Sequence, residues 1–399
     1  MRTWRGVEEM GALLEKLKPM SDGQKEMLEA LTSDEYEIIG LFGPTGTGKS
    51  LFSVLTGLDA VLEGRYKRLI ISRPVVDVVT GKELTAQELG PQYYEFVSAY
   101  LRDILGEFIE WKEVEKLIQE GKVMFADTHY LRGRTFDDAI IFLDDAQNVP
   151  PETSVEIMMR IGRNSKFIIA GDPVFQKPPH MEKDGATMIR EVLLGEEKAK
   201  VVDLGFKDIV RPGARRGIRL LLELRMRNRP LNDVEKRIME SAKVHAPDAD
   251  VITVVEFVEE KKRFEIKSEH VPDALIIVKE GYLGRLVGRG GERIEKIEED
   301  TELRLRAVEL TSDLRSSFIN MIRAIHPTSW IYKHIEDVDF KGPELAIWVR
   351  SDEFGAFVGQ RGFYVKFVDS VFKKLMGVGI RAFEVAEEEE EGRRRRRRR

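Results

Sequence analysis

Short apolar runs alternate with amphipathic segments over residues 37–204. The amphipathic segments 51–62, 93–109 and 154–161 have apolar positions at helical spacing. The apolar runs are almost uninterrupted and cover residues 38–42, 69–72, 123–126, 139–143, 167–170 and 201–204. Uninterrupted runs of this length are typical of strands that are buried on both faces. The alternation therefore predicts an α/β domain built on a parallel sheet.

This alternation ends near Arg211, where a basic segment with four leucines begins. Pro230 follows the segment, and proline disrupts the interior of a helix. The pattern predicts a first domain over residues 1–212, with two short helices around Pro19 ahead of the sheet. It also predicts a basic linker helix over residues 213–230.

The last third of the chain contains an internal repeat. The sequence of residues 286–291 recurs, with changes, at 357–362. Each copy follows a strand-like run and precedes a helical segment and a second strand-like run. Repetition with a matched order of elements predicts two small α/β domains in tandem, over residues 231–311 and 312–386.

Composition narrows the classes of function. The chain of 399 residues has no cysteine, which excludes disulfides, thiolate metal sites and a cysteine nucleophile. Its six histidines have no metal-ligand spacing. No run of 18 apolar residues is present, and the first ten residues lack the apolar core of a signal peptide. We therefore expect a cytoplasmic protein without a membrane-spanning segment.

Charge is distributed unevenly. The net charge of −6 is unfavourable for a general nucleic-acid binder. Residues 387–391 are five acids in succession, and residues 393–399 are seven arginines. We predict that 387–399 is a disordered tail, which would add salt-dependent affinity for nucleic acid.

A phosphate-binding motif lies between the first predicted strand and the helix after it. The motif G-x-x-x-x-G-K-[ST] and the residue that follows it are Gly43, Pro44, Thr45, Gly46, Thr47, Gly48, Lys49, Ser50 and Leu51. Backbone N–H groups of such a loop surround phosphate, and the helix N-terminus adds partial positive charge. We expect Lys49 to reach the β- and γ-phosphates and the Ser50 hydroxyl to bind Mg²⁺.

Two acids follow the apolar run 139–143. Asp144, at the tip of a buried strand, is in the usual place for the acid that holds Mg²⁺ through water, and Asp145 would orient the attacking water. The alternative is that both acids cap the next helix. Beyond the run 167–170, Gln176 could sense the γ-phosphate, and the alternative there is a plain loop with a capping Asp172.

In this order along the chain, Gln24 and residues 43–50, 72–76, 131–135, 143–148 and 171–176 resemble the motifs of PhoH-like ATPases, which are relatives of superfamily one helicases. The resemblance covers about residues 20–212. It implies a RecA- or helicase-like P-loop fold with ATP and Mg²⁺ as cofactors, and Gln24 would read adenine. Arg73 would lie on a nucleic-acid or inter-subunit face. Gln147 and Gln176 would couple the phosphate state to movement.

The sequence departs from this family pattern in two places. The family's second acid is normally glutamate, whereas Asp145 is one methylene shorter, which moves the carboxylate by about 1.5 Å. A shift of that size can cost about 100-fold in rate. The family's Gly/Pro-rich segment after Arg73 is also missing, and residues 86–94 stand in its place.

Arginine fingers complete many such sites by placing a cation on the γ-phosphate. The candidates here are Arg132, Arg134 and Arg211, and each has surface ion pairing as its alternative. The resemblance implies a homo-oligomer, with a hexameric ring as one form, in which a neighbouring subunit supplies the finger.

Two glycine turns resemble the GxxG loops of KH domains. Their residues are Gly288, Arg289, Gly290 and Gly291 in the first copy and Gly359, Gln360, Arg361 and Gly362 in the second. The order of elements resembles the tandem, type II-like arrangement of bacterial and archaeal NusA-like proteins, and the whole chain then resembles an archaeal-type PhoH-like protein. Such loops clamp single-stranded RNA.

The apolar floor for the RNA bases would come from Leu286, Val287, Ile294, Phe357, Val358 and Val365. The alternative is a pair of α/β units that have lost RNA binding and only pack on the ATPase domain.

Together these inferences predict a Mg²⁺-dependent ATPase that couples ATP turnover to RNA binding or remodelling and is stimulated by RNA. The first alternative is a non-catalytic, ATP-gated RNA-binding scaffold, which the short side chain of Asp145 favours. The second is a P-loop kinase, which the helicase-like Gln176 and the missing acceptor-binding lid signature disfavour.

Overall fold

The computed structural model describes residues 11–77, 83–128, 135–176 and 184–385. These residues belong to two compact units that divide after Arg215. Arg132, Arg134 and the tail 387–399, which the sequence singled out, lie outside the described residues.

The first unit is an α/β domain. Its strands are β1 (Ile38–Phe42), β2 (Arg68–Ser72), β3 (Val75–Val76), β4 (Glu83–Leu84), β5 (Val123–Phe125), β6 (Ala139–Leu143), β7 (Lys166–Gly171) and β8 (Ala199–Asp203). Its helices are α1 (Asp22–Thr32), α2 (Lys49–Leu62), α3 (Ala86–Leu89), α4 (Pro91–Leu105), α5 (Trp111–Gln119), α6 (Pro151–Met158) and α7 (Gly185–Leu193), and α8 (Pro212–Asn228) contains the boundary between the units.

Within the described residues of this unit, six strands pair in parallel in the order β5-β2-β6-β7-β1-β8. The predicted α/β fold with a parallel sheet is confirmed. The short β3 and β4, which the sequence did not predict, form a separate antiparallel pair.

The central strands are apolar throughout because both faces of the sheet are covered. Along β6, Ile140 and Phe142 pack into one buried cluster with Leu55 of α2. The alternate residues Ile141 and Leu143 pack into a second cluster on the other face. Burial stabilises each such side chain by about 1.5–3 kcal/mol relative to exposure. The two-sided core therefore fixes the strands and places their carboxyl ends along one edge of the sheet.

The second unit repeats one arrangement twice. The first repeat contains α9 (Asp233–His245), β9 (Val251–Glu256), α10 (Val258–Arg263), β10 (Ala274–Lys279), α11 (Leu283–Val287), α12 (Glu292–Thr301) and β11 (Leu305–Leu310). The second contains α13 (Leu314–Ile325), β12 (Ile335–Lys341), β13 (Glu344–Arg350), α14 (Phe354–Val358), α15 (Phe363–Met376) and β14 (Ile380–Val385).

Within residues 216–385, each repeat forms a three-stranded mixed sheet. The middle strand, β10 or β13, is antiparallel to the strand before it and parallel to the strand that closes the repeat. The fold class with two small α/β domains after the parallel sheet is thereby confirmed.

The two repeats pack directly on each other. Phe257 from the first contacts Phe367 from the second edge-to-face, with ring centroids 5.5 Å apart. Lys374 of α15 forms ion pairs with Glu256 and Glu260 of the first repeat, at 3.4 and 2.7 Å. The repeats therefore form one compact unit.

His326 is a buried neutral histidine in the second repeat. Its Nδ1 accepts a hydrogen bond from the Thr328 N–H at 3.0 Å, and its Nε2 lies 3.0 Å from the Phe357 carbonyl oxygen. A neutral ring with its proton on Nε2 satisfies both partners. Burial lowers the pKa of His326 to about 4.

We expect the second unit to lose stability on acidification because of His326. The folded-state pKa lies below the unfolded value of about 6.5, so this stability is complete above pH 6.5 and is lost as the pH falls. The loss amounts to about 3 kcal/mol by pH 4. Denaturant unfolding of wild type and His326→Asn between pH 7.5 and 4 measures it.

The variant should be less stable than wild type at pH 7.5, and the difference in unfolding free energy should shrink as the pH falls. A difference that stays constant over this range would show that His326 titrates normally in the folded protein.

Candidate functional site

Residues that follow four neighbouring strands of the first unit lie together at one edge of the sheet. Gly43 follows β1, Asp172 follows β7, Asp144 follows β6 and Arg73 follows β2. Parallel strands bring their carboxyl ends to the same edge, where ligands bind in open α/β sheets. A cavity of about 700 Å³ opens there. Its walls include the predicted site residues Gln24, Thr45, Gly46, Gly48, Lys49, Ser50, Leu51, Asp144, Asp145, Gln176 and Arg211.

The remaining loop residues Gly43, Pro44 and Thr47 are buried beneath Lys49 and hold its ammonium group. Lys49 Nζ donates to the carbonyl oxygens of Gly43 and Pro44, at 2.8 and 2.9 Å. Burial lowers the pKa of Lys49, while the charges of Asp172, Asp144 and Asp145 oppose that shift. The site therefore contains a buried cation, held by the loop, at the start of α2.

The Ser50 hydroxyl and the Asp144 carboxylate lie together. Ser50 Oγ donates to Asp144 Oδ2 at 2.8 Å, and the Tyr100 hydroxyl donates to the same oxygen. Burial raises the pKa of Asp144, the charge of Asp145 raises it further, and Arg73 opposes both. Oxygen ligands of this kind are those that Mg²⁺ prefers.

Across the described ranges there is no group of three or more His, Cys, Asp or Glu side chains that could hold a metal. Mg²⁺ is usually bound by one or two protein oxygens, with water and substrate phosphates completing its shell. The Ser50–Asp144 pair therefore fits Mg²⁺ in the presence of a triphosphate.

Asp145 is held in a left-handed backbone conformation, with φ of 52°. Its Oδ2 accepts from Arg73 Nε at 2.8 Å and Nη2 at 2.7 Å, and its Oδ1 accepts from Gln147 Nε2 at 3.2 Å. Aspartate and asparagine tolerate this conformation better than other non-glycine residues, which is a physical reason for the short acid here.

The capping alternative for the two acids is not supported. The Asp145 side chain makes no capping hydrogen bond to the short turn of residues 146–148 that follows it. Helix α6 starts only at Pro151, with Pro150 at its cap position.

Gln147 connects the ends of β6 and β7. Its Nε2 donates to Gln176 Oε1 at 3.0 Å, and its Oε1 accepts from the Asp172 N–H at 3.0 Å. Asp172 also accepts from the N–H groups of Val174 and Phe175. Asp172 therefore caps this loop, as the alternative interpretation of the segment predicted. The exposed Gln176 nevertheless lines the cavity, so capping by Asp172 and a role for Gln176 at the site are compatible.

Gln24 ties the segment before α1 to the phosphate loop. Its Oε1 accepts from the Met20 N–H at 2.7 Å, and its Nε2 donates to the Thr47 carbonyl oxygen at 3.0 Å. Gln24 lines the cavity beside Leu17 and Met20. Its reading of adenine stays a prediction.

Arg211 stands in the wall of the cavity of its own chain. The Val210 N–H next to it donates to the Gly46 carbonyl oxygen at 3.1 Å, which fixes this segment on the loop. Its function as an arginine finger stays a prediction.

Arg73 and Tyr100 are the site residues whose places the sequence did not reveal. Arg73 lines the cavity, where its guanidinium forms an ion pair with Asp145 at the end of the neighbouring strand. Its place on a nucleic-acid or inter-subunit face stays a prediction. Tyr100 reaches Asp144 only because Leu101 and Leu105 pack α4 into the same apolar cluster as α2. A tyrosine on an amphipathic helix gives no local signal of this contact.

The two glycine turns of the second unit have matching backbones. Gly288, Gly290 and Gly291 have φ of 78°, 64° and 94°. At the corresponding positions Gly359, Arg361 and Gly362 have φ of 72°, 54° and 73°. A Cβ built on Gly290 has no atom within 4 Å, so a ligand can approach the backbone there. Arg289, Gln360 and Arg361 are exposed beside the turns.

Part of the predicted apolar floor is wrong. Leu286 and Phe357 are 0% exposed, so they cannot contact a bound base. Leu286 instead packs among Ile276 and Ile297 in the core of the first repeat. The other predicted floor residues, Val287, Ile294, Val358 and Val365, are partly exposed.

In the described part of the chain, helices that combine the length and the apolar character needed to cross a membrane are absent.

Two protein-family models together match most of the described residues. A family model described as PhoH-like protein matches residues 16–223, a range that contains all the cavity residues named above. A model described as KH domain matches residues 250–344. This second match includes the first glycine turn and ends before the second.

Curated relatives agree with the first match. The PhoH-like protein of Bacillus subtilis (strain 168) is 34% identical over 192 residues, which are 47% of this chain and 58% of that protein. The PhoH-like protein of Synechocystis sp. is 31% identical over 191 residues, which are 47% of this chain and 56% of that protein. The chain thus spans little more than half the length of these relatives.

Among solved structures, the SWI2/SNF2 ATPase core of Sulfolobus solfataricus in complex with dsDNA is 11% identical. The match covers 64% of this chain and 57% of that chain, with a TM-score of 0.29.

Proposed function

We propose that this chain, which belongs to the PhoH-like protein family, is a Mg²⁺-dependent ATPase that couples turnover to single-stranded RNA bound at its glycine turns. The observation that carries the proposal is the convergence of a buried cation, a hydroxyl–carboxylate pair and a second acid at one sheet edge. Lys49, the Ser50–Asp144 pair and Asp145 all line the same cavity.

This arrangement suits a nucleoside triphosphate. The N–H groups of the loop and the N-terminus of α2 favour phosphate oxygens, and Lys49 adds a full positive charge. Ser50 and Asp144 would hold Mg²⁺, which, when bound, neutralises charge on the β- and γ-phosphates. Asp144 must lose its proton to hold the metal, and the charge of bound Mg²⁺ would stabilise its ionised form against the effect of burial.

Hydrolysis needs a group that orients water behind the γ-phosphorus, and we assign that role to Asp145. The water oxygen forms a bond to the γ-phosphorus while the bond to the bridging oxygen of ADP breaks. Asp145 takes up the proton of the water and passes it to the released phosphate or to solvent. Gln147 donates hydrogen bonds to both Gln176 and Asp145. Gln176 would therefore respond to the loss of the γ-phosphate through Gln147.

The decisive experiment is an ATPase assay of the full chain with and without single-stranded RNA pools. We expect Mg²⁺-dependent release of phosphate that rises with RNA and is lost in Lys49→Ala. A turnover that no RNA changes, in protein that still binds RNA, would separate the ATPase from the RNA-binding proposal.

The RNA site is proposed at both glycine turns, as two KH domains in tandem. The match to the KH model supports the first turn. The matching φ values of the two turns support the second, where Arg361 takes the place of Gly290 and adds a positive charge. Backbone at such a turn clamps about four nucleotides.

We expect Gly290→Asp to weaken RNA binding about 10-fold without unfolding the protein. Aspartate tolerates the left-handed backbone and has open space at this position, while its charge repels phosphate. Fluorescence anisotropy with a labelled single-stranded RNA pool measures the effect.

Gly377→Asp is the matched control, because Gly377 also has positive φ and open space but lies after α15, away from both turns. Arg361→Asp makes the corresponding change in the second turn. If Gly290→Asp binds RNA as tightly as wild type and Gly377→Asp, the first turn is not the RNA site.

A non-catalytic, ATP-gated scaffold is the second candidate function. The observation in its favour is that Asp145 is already paired with Arg73. This candidate predicts that Mg-ATP binds and alters RNA affinity while phosphate is never released.

The number of subunits also stays a proposal. Arg211 lines the cavity of its own chain, so we expect it to act without a neighbour. Light scattering with and without nucleotide tests the ring that the family resemblance implies.

A further inference from the structure

Arg73 and Tyr100 act on both acids at the end of β6. Two nitrogens of Arg73 donate to Asp145 Oδ2, and the guanidinium carbon lies 4.2 Å from the centre of the Tyr100 ring. Tyr100 in turn donates to Asp144. One arginine–tyrosine pair therefore contacts the proposed metal ligand and the proposed water-orienting acid.

Asp145 has both carboxylate oxygens engaged in this arrangement. Arg73 holds Oδ2 and the Gln147 amide holds Oδ1. Hydrogen bonds from a guanidinium to a carboxylate are about twice as strong as neutral ones. A water that Asp145 is to orient must therefore displace an Arg73 donor from Oδ2 or share Oδ1 with the Gln147 amide.

A second cavity lies on the other side of this pair. It measures about 230 Å³ and is lined by Pro74, Val75, Val76, Phe96 and Val97 together with Arg73 and Tyr100. Because Arg73 and Tyr100 also line the nucleotide cavity, their side chains form the wall between the two cavities. The Arg73 side chain is 35% exposed, so its ion pair with Asp145 is partly accessible to solvent.

We propose that Arg73 is a positioning residue that restrains Asp145 and so sets the resting rate of ATP hydrolysis. The inference rests on the proposed function, in which Asp145 orients the attacking water. Turnover is then faster when Arg73 has released Asp145. The opposite assignment, in which Arg73 assists the reaction by contacting the γ-phosphate, predicts an effect of opposite sign.

The test compares kcat and KM for Mg-ATP, without RNA, in the full chain. Arg73→Met keeps a long side chain in the wall but removes the donors, and Arg73→Gln is a second variant in case methionine impairs folding. We expect kcat to rise about 5-fold, because the variants lose one partly exposed ion pair that holds Asp145. KM should stay within about 2-fold of the wild-type value.

Two further variants separate a restraint on Asp145 from a general effect on structure. Arg73→Lys keeps the cation and should return kcat toward the wild-type value. In the Asp145→Asn background, Arg73→Met should give no increase, because the group that it would release is gone.

A wild type that turns over ATP while both Arg73→Met and Arg73→Gln are slower would overturn the restraint and leave the proposed ATPase intact. Mg-ATP binding without turnover in the wild type and in both variants would overturn the ATPase and the restraint together. A gain of turnover in the variants over an inactive wild type would support both.

Discussion

Replacing Lys49 with methionine is expected to lower ATP turnover at least about 100-fold and to weaken triphosphate binding. Lys49 is the only loop residue that brings a full positive charge to the cavity, and loss of one preorganised electrostatic contact typically costs about 100- to 1,000-fold in rate. Its ammonium is already fixed at the loop by the Gly43 and Pro44 carbonyl oxygens. Steady-state release of phosphate and titration with a fluorescent ATP analogue measure the two effects.

Lys166→Met is the matched control for this substitution. Lys166 is also buried, donates to the carbonyl oxygens of Leu31 and Ser33, and has its pKa lowered to about 8 by burial. It stands at the start of β7, at the opposite end of the strand from the cavity. We expect this control to lose stability but to keep its affinity for the nucleotide. Equal loss of binding in both variants would mean that Lys49 acts through folding.

The second large effect is expected for Asp145→Asn, which should lower kcat about 100-fold while the affinity for Mg-ATP stays the same. General-base catalysis contributes about 100- to 10,000-fold in rate, and an amide cannot accept the proton. Asparagine tolerates the left-handed backbone of this position and keeps an oxygen that can accept from Arg73 or Gln147. Single-turnover kinetics with excess protein separates the chemical step from binding.

Asp145→Glu tests the same position by lengthening the acid instead of removing its charge. We expect it to be slower than wild type, because glutamate fits the φ of 52° less well and its extra methylene would displace the carboxylate from the position assigned to the base. A wild type without turnover that becomes active on this change would instead favour the scaffold. If Asp145→Asn turns over ATP within about 2-fold of the wild-type rate, Asp145 is not the base, because a general base contributes at least about 100-fold.

The sequence predicted the features that depend on neighbouring residues. Uninterrupted apolar runs predicted the strands of the parallel sheet because both faces of that sheet are buried. The end of the run 139–143 placed Asp144 and Asp145 at the sheet edge, and the loop motif placed Lys49 and Ser50 at the start of a helix. The proximity of Ser50 to Asp144 follows from those two placements.

Contacts between distant segments could not be predicted in this way. Tyr100 meets Asp144 through the packing of α4, and Arg73 turns into the cavity because of a charge on another strand. Apolar character alone also did not distinguish a base-binding floor from a core, which is why Leu286 and Phe357 were misassigned. In each case the outcome depends on which faces are covered, and that is set by the whole fold.

One calorimetric titration tests the central claim, that Ser50 and Asp144 hold a metal beside a triphosphate on the loop of Lys49. Full-length wild type and Ser50→Ala are titrated with a non-hydrolysable ATP analogue, in excess Mg²⁺ and in excess EDTA. We predict one saturable site in the wild type that tightens strongly with Mg²⁺, and an affinity in Ser50→Ala that Mg²⁺ no longer improves. Equal affinities in Mg²⁺ and EDTA for the wild type, or no saturation at millimolar analogue, would contradict the account.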